Sequence, residues 1–503
     1  MGLITISTDI PWLSLIWLSL LVPSVLIAFI PETQQQLMRL VGTGFAFISL
    51  VLSLLIFFAY DPQVAGFQFV ERLDWIPQIG INYLLGVDGI SLAMLVLNGV
   101  VIFTGSLMSW NIEKRAKEYW IWLLLLTTGV YGVFVSLDLF LFFVFYELAV
   151  LPMYLLIGIW GSTRKEYGAM KLTLFLMAGS AMAIIAMLGI YFQSGLRTFD
   201  MMVLARNITM SAEYQRIFFP LLFLGFAVLS GMFPFHTWSP TGHVAAPTAV
   251  SMLHAGVLMK LGAYGCLRAA MWLMPEGARE WLPFMAVLTI LNVVYGATIA
   301  MAQRDAKFII GYSSVSHMGL VMMALASGTQ IGLVGAVLQM FAHGIMTALF
   351  FSVVGRMIYE RTHTRQLPEL GGLGRVMPFA AVMFILGGLS SMGMPGFAGF
   401  WAEFAIFIGV WERYPLIAVI AAVSIPITGA YILRAVYSVF FDEVKNPEFL
   451  TLPKLTWQEY SGALILASIL ILVGIFPGFL TDIINMGVAP IAQQLNDVIV
   501  AGR

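Results

Sequence analysis

Fourteen long apolar stretches constrain this chain more than any other feature. They lie at 11–30, 37–60, 84–110, 119–136, 138–160, 168–192, 217–238, 246–273, 281–302, 307–327, 331–357, 378–411, 414–441 and 460–476. A helix needs about 20 residues to cross the hydrocarbon layer. Inside that layer only helices and closed barrels satisfy every backbone donor and acceptor. The expected fold is therefore an all-α polytopic membrane protein with about 14 transmembrane helices. The 503 residues are 60% hydrophobic and only 10% charged, too few charges for a soluble protein of this size. Segment 11–30 lacks a basic start and a small-residue cleavage site, so it reads as a retained span rather than a signal peptide. The tail from Pro477 carries Asp482, Asn485, Asn496 and Asp497, which suits a helix lying on the surface.

Charge narrows the partners and sets an orientation. With 25 basic and 26 acidic residues, nothing attracts nucleic acid or a strongly acidic partner. Cys266 is the single cysteine, which excludes internal disulfides and cysteine-held zinc or iron–sulfur sites. The loops and helix ends after odd-numbered spans hold 16 Lys and Arg, and the opposite side, Arg268 and Arg503 included, holds 8. The positive-inside rule then places both termini away from the cytoplasm.

Two spans are interrupted. The seventh breaks around Met232, Phe233 and Pro234, and the twelfth around Met394, Pro395 and Gly396, each with ionisable residues close behind. Proline removes a backbone donor and glycine loosens the turn, so the freed groups must face protein or water. Breaks in matching places suggest two inverted repeats, spans 4–8 and 9–13, about a midplane path. Two ordinary proline kinks are the plainer reading. The expected organisation is 1–118 for three N-terminal helices, 119–273 for the first repeat (break near 231–240), 281–441 for the second (break near 393–399), and 460–503 for a C-terminal helix and amphipathic tail.

Ionisable residues inside apolar spans are expensive, about 2.5–3.5 kcal/mol each even on the lenient insertion scale, and so carry the functional reading. Lys260 lies mid-span in TAVSMLHAGVLMKLGAYGCLRAAM, too deep to snorkel, where a buried lysine can load and release a proton. Glu147 lies about ten residues into the fifth span and must face a partner or water; a structural hydrogen bond is the alternative. His317 and His343 sit near the centres of neighbouring spans, either relaying protons or bonding helix to helix. Tyr312, Ser313, Ser314 and Ser316 add hydroxyls beside them. Glu403 follows the second break, as the acidic end of a second half-path or as an interfacial charge. Lys171 and Lys307 stand near helix starts, as anchors or path members, and Asp138 at a helix mouth reads as a cap. His236 and His243 flank the first break. Zinc would need a further ligand, and no H-E-x-x-H pattern exists. Haem would need a histidine pair from His254, His317 and His343, residues that other motifs explain better. No metal and no bound cofactor is expected in this chain.

Taken together, SLDLFLFFVFYELAVLPMYLLIGIWG, PFHTWSPTGH, HAGVLMKLGAYG, DAKFIIGYSSVSHMGLV, AHGIMTALFFSVVG, ERTHTRQLPELGGL and MPGFAGFWAEF are similar, in that order and from about 84 to 441, to the antiporter-like subunit M family of respiratory complex I, NADH:quinone oxidoreductase. The resemblance implies that Glu147 gates a first half-channel, that Lys260 is the central connecting lysine, that His317 and His343 line the axis, and that Glu403 lies at the exit of the second half. It matches His236 to the histidine of the broken helix. It also implies a lysine seven positions before His236, where this chain has Leu229. Lys171 or His236 would then stand in as partner of Glu147, or Glu147 is unpaired. His254 occupies a position that is usually apolar in the family.

The function so implied is a proton-translocating membrane-arm subunit of a complex I-type translocase, in a bacterial inner membrane. NADH or another donor, flavin, iron–sulfur clusters and quinone would sit in partner subunits. The partners would be L-like and N-like antiporter subunits, lipids and protons. The alternatives are an Mrp-type sodium/proton antiporter subunit, a membrane-hydrogenase subunit, or a scaffold subunit with impaired pumping.

Overall fold

The computed structural model describes residues 9–207 and 209–501, with side chains to 499. Arg503 lies outside them, as do the outermost residues of the expected regions 1–118 and 460–503. The fold is mostly helical. Among the described residues, 13 helices are long and apolar enough to cross a membrane. They are α1 (Trp12–Phe29), α2 (Gln35–Ala59), α3 (Gly89–Met108), α4 (Ala116–Val135), α5 (Leu139–Trp160), α6 (Lys165–Gln193), α7 (Ala212–Ala245), α8 (Thr248–Met271), α9 (Pro275–Ala302), α10 (Ala306–Ser327), α11 (Gln330–Thr362), α13 (Pro415–Phe441) and α14 (Trp457–Ile475). The expected twelfth span, α12, is two shorter helices, Pro378–Ser391 and Ala398–Arg413. The last helix, α15 (Gly478–Ala501), packs across the starts of α3, α9 and α11. There Gln330 donates to Asn485 and Arg279 to the Val498 carbonyl.

One element departs from the all-helical expectation. Residues 84–87, expected to open the third span, belong to an antiparallel hairpin of β1 (Gln68–Ile76) and β2 (Ile81–Val87). The turn closes at Gly80, whose φ of 69° is left-handed and suits glycine. The apolar run Ile81–Val87 leads directly into α3, so hydropathy alone merges strand with helix. The hairpin caps the bundle end: the Leu137 N–H bonds the Leu84 carbonyl at 2.9 Å, and Arg72 pairs with Asp200. Asp138 caps α5 through Phe140 and Leu141 and also accepts from the Asn82 N–H at 3.0 Å.

Burial ranks the helices. The most apolar windows of α8 and α11 are 100% shielded by protein, whereas those of α1, α6 and α13 are only 33% shielded and form the periphery. The central helices are also those that carry Lys260, His317 and His343. Close approach at the centre depends on glycine: a Cβ on Gly344 would stand 2.5 Å from the Gly256 carbonyl oxygen. Small residues allow this contact, which dispersion then stabilises.

At the opposite end of the bundle, Glu459 is fully buried. It completes the capping box of α14 and pairs with Arg356 at 2.9 Å and Arg361 at 2.7 Å. Glu459→Ala leaves two shielded arginines short of a counter-charge, and such a loss costs about 3–5 kcal/mol. The variant should assemble poorly or unfold well below the wild type in a thermal-shift assay. Wild-type melting would show the network to be dispensable.

Candidate functional site

The site is built on α8, which does not keep α-geometry throughout. His254–Leu258 and Cys266–Met271 are π-turns flanking the α-segment Met259–Gly265. A widened turn releases carbonyls from the helical ladder. The Ala255 carbonyl is used in this way: it accepts from the Lys260 Nζ. The Lys260 Nζ also lies 2.7 Å from the His343 Nδ1 on α11. When the amine donates there, His343 carries its own proton on Nε2, which has no partner among the described residues.

From His343 the line continues to α10. The His343 and His317 rings are 5.4 Å apart and inclined by 29°. His317 Nδ1 is 2.8 Å from the Ser313 carbonyl, to which it donates. Its Nε2 faces two acceptors, the Ser391 carbonyl at 3.2 Å and Glu403 Oε1 at 3.6 Å. Two acceptors around one ring nitrogen call for a proton between His317 and Glu403, on one or the other. The break in α12 makes this possible. Ser391 is the last residue of its first half, and its carbonyl points at the histidine instead of closing a helical bond. Gly393 (φ 65°) lets the Glu403 carboxylate lie close, since a Cβ there would stand 2.7 Å from Oε2. Lys260, His343, His317 and Glu403 are 0, 1, 3 and 8% exposed, so the whole line is shielded from lipid.

The other expected residues lie apart from it. Glu147 is half-buried on α5, and its Oε1 has no partner among the described residues. Lys171 reaches Thr241 Oγ1 at 3.5 Å rather than Glu147. His236 lies beside Phe233 and Tyr295, ring centroids 5.6 and 5.2 Å away, with neither nitrogen partnered. Neither stand-in therefore reaches Glu147, and Leu229 is fully buried one turn before the break. His243 and His254, weighed above as metal ligands, face each other with centroids 4.0 Å apart. No group of three His, Cys, Asp or Glu among the described residues could hold a metal ion. Lys307 bonds the Ala246 carbonyl at 3.0 Å.

Two sets of residues escape sequence reading. Arg268, taken above as a side-marking charge, is buried in an ion pair with Asp88; its spacing of four and eight from Tyr264 and Lys260 was the available signal. Asn292 on α9 holds the first break open. Its amide donates to the Gly231 carbonyl at 2.8 Å, and its oxygen accepts from the Phe233 N–H. An asparagine within an apolar run gives no sign of such a distant partner.

Residues 136–428 match the family described as NADH:quinone oxidoreductase/Mrp antiporter, TM, and the chain belongs to it. It is a multi-pass membrane protein of the antiporter-like class. Within that class it is similar to NADH-quinone oxidoreductase subunit M of Rhodobacter capsulatus, with 37% identity over 89% of each chain. It is also 34% identical, over 98% of this chain and 94% of the other, to NAD(P)H-quinone oxidoreductase chain 4 1 of Nostoc sp.. These matches place the chain in the subunit M family. A chain of respiratory complex I from Thermus thermophilus with bound NADH superposes with a TM-score of 0.88 at 28% identity, covering 97% of this chain and 99% of that one. A chain of the Mrp complex from Dietzia sp. shares the fold, with a TM-score of 0.82 at 20% identity over 97% and 99%.

The Asn292 clamp gives a stability test. Asn292→Leu keeps the volume but strands a buried N–H and a carbonyl, at about 1–3 kcal/mol for each unsatisfied group. The variant should melt several degrees lower, with the loss partly restored by Asn292→Gln. A variant that melts like wild type would show that the break holds itself open.

Proposed function

We propose that this chain is a proton-translocating membrane-arm subunit of a complex I-type NADH:quinone oxidoreductase. The observation that carries the reading is the shielded line from Lys260 through His343 and His317 to Glu403. Each group can hold or pass a proton, and Lys260, His343, His317 and Glu403 follow one another from α8 through α11 and α10 to the second half of α12. A histidine donating from one nitrogen and accepting at the other moves a proton across itself by changing tautomer. Lys260 loads, His343 and His317 relay, and Glu403 receives.

Electrons do not pass through this chain. NADH or another donor, flavin, iron–sulfur clusters and quinone belong to partner subunits, and work arrives as a change of charge or contact at the bundle. In a low-dielectric interior, two charges a few ångströms apart influence each other strongly, so protonating one group alters its neighbours' hold on theirs. Glu147 is the acidic group that biases the lysine end. Neither Lys171 nor His236 pairs with it among the described residues, so Glu147 acts here with no fixed counter-charge. The neighbouring membrane subunits are antiporter-like, of the L and N kinds. We place the protein in a bacterial inner membrane with both termini on the non-cytoplasmic side, as the charge distribution asks, and read the two interrupted helices as equivalent parts of inverted repeats. The identities of 34–37% to subunit M and chain 4 relatives support this reading over an Mrp-type antiporter.

Two substitutions separate loading from release. In proteoliposomes containing the purified complex, Lys260→Ala should lower the protons moved per electron pair while electron transfer with an uncoupler is kept. Normal pumping by an assembled Lys260→Ala complex would sink the reading and favour a scaffold. Glu403→Gln removes the acceptor beyond His317 and should lower the ratio as far, with proton delivery through this chain slowed at least about tenfold, or about 1.4 kcal/mol in barrier. A Glu403→Gln complex that pumps at the wild-type ratio would remove Glu403 from the path.

A further inference from the structure

At the bundle end that carries the excess of basic residues, several chain segments surround an opening. They are the turn between α5 and α6, the start of α6, the end of α7, the turn between α9 and α10, and the segment after α11. The cavity between them has a volume of about 540 Å³. Small-molecule sites typically span about 300–1,000 Å³. Arg164, Lys171 and Arg365 line it, and Asp305 is the one carboxylate among its described lining residues. Arg365 comes from ERTHTRQLPELGGL, a motif that takes no part in the line from Lys260 to Glu403. Its Nε donates to Asp305 Oδ2 at 2.6 Å, and its guanidinium lies 5.2 Å from the Tyr359 ring centroid. That pairing leaves Arg164 and Lys171 as two uncompensated cations in one cavity. The Lys171 Nζ meets Thr241 Oγ1 at 3.5 Å and the Tyr167 ring at 5.8 Å, neither of them an anion. The Arg164 side chain has no partner among the described residues.

The cavity joins an apolar stripe on α6. Tyr167, which lines the cavity, is followed by Met170, Leu174 and Met177, and all four are more than half exposed. Their spacing of three, four and three sets them on one face of the helix. At 1.5 Å per residue the stripe runs about 15 Å, half of the hydrocarbon thickness of about 30 Å. A tyrosine with a polar tip and an apolar body suits the boundary between headgroups and hydrocarbon. Two uncompensated cations repel hydronium, so the cavity is poorly suited as a proton entrance. A free anion would answer the charge and leave the stripe without a role.

We propose that this cavity and the stripe on α6 bind one anionic phospholipid. Its phosphate lies among Arg164, Lys171 and Arg365, and one acyl chain lies along Tyr167, Met170, Leu174 and Met177. Arg164 is free to meet two phosphate oxygens at once with its planar fork, while Lys171 acts as a point charge. The Thr163 hydroxyl accepts from Arg365 Nη2 at 3.4 Å and has its own proton to donate to the phosphate. Basic pockets between helix ends are suited to the anionic headgroups of the cytoplasmic leaflet.

The test uses the intact complex, purified in detergent and stripped of lipid. It is titrated with phosphatidylglycerol, phosphatidylcholine or inorganic phosphate, and bound lipid is read by native mass spectrometry. Photolabelling with each lipid, carrying a diazirine on its acyl chain, locates the site. Phosphatidylglycerol should label the α6 peptide and phosphatidylcholine should not. Arg164→Gln with Lys171→Gln, compared at equal assembly, should weaken phosphatidylglycerol binding about thirtyfold, each basic group counting for roughly fivefold. Arg164→Lys with Lys171→Arg should restore it. Equal labelling of α6 by the two lipids overturns the proposal on the wild-type complex alone, whether or not the variants assemble. Inorganic phosphate that displaces the label as readily as phosphatidylglycerol would show a free-anion site and overturn the lipid. An α6 peptide that no lipid labels would show that a neighbouring subunit covers the stripe, which overturns it as well.

Discussion

The hydrogen bond between Lys260 and His343 is the contact around which the bundle is arranged. An ammonium group at the centre of a bilayer is tolerated only where protein replaces water around it. Every part of that replacement is visible. The two helices that carry the pair are the most completely shielded in the fold. The π-turn before Lys260 supplies the Ala255 carbonyl. The glycines at 256 and 344 bring the two backbones close enough for a side-chain bond of 2.7 Å. The lipid-facing helices then serve as a wall around a polar interior that cannot meet hydrocarbon.

The two interruptions solve the same problem with different means. In α12 the broken ends meet the buried polar residues directly, the Ser391 carbonyl on His317 and Gly393 beside Glu403. In α7 the broken ends are satisfied within the protein, by Asn292 at Gly231 and Phe233 and by the Trp238 indole on the Val228 carbonyl at 3.0 Å. Leu229 adds only apolar packing there. Lys260, His343, His317 and Glu403 thus lie one beside the next, while Glu147, Lys171 and His236 show no direct bond to one another among the described residues.

Much of this was legible in the sequence, for a physical reason. Charges and histidines within apolar runs are costly, so Lys260, His317, His343 and Glu403 stand out before any geometry is known, and the structure brings these four together. Long apolar runs and prolines marked the helices and their breaks to within a few residues. What stayed hidden depended on pairing across the chain. The strand Ile81–Val87 was merged into a helix because both are apolar. Arg268 was taken as a side marker because its partner, Asp88, lies 180 residues earlier. Asn292 was silent because a lone amide shows nothing of the carbonyl it will meet. The stand-ins expected for the missing lysine failed on reach: Lys171 is held by Thr241, and His236 is held among aromatic rings.

The glycine contact between α8 and α11 has a mechanical consequence. With the Gly256 carbonyl this close to Gly344, neither position has room for a side chain, which joins the two helices into one beam. A beam cannot perform a stroke across its own joint. The separation between Lys260 and His343 is thus set by backbone, and a change of charge on either residue meets a neighbour at a fixed distance.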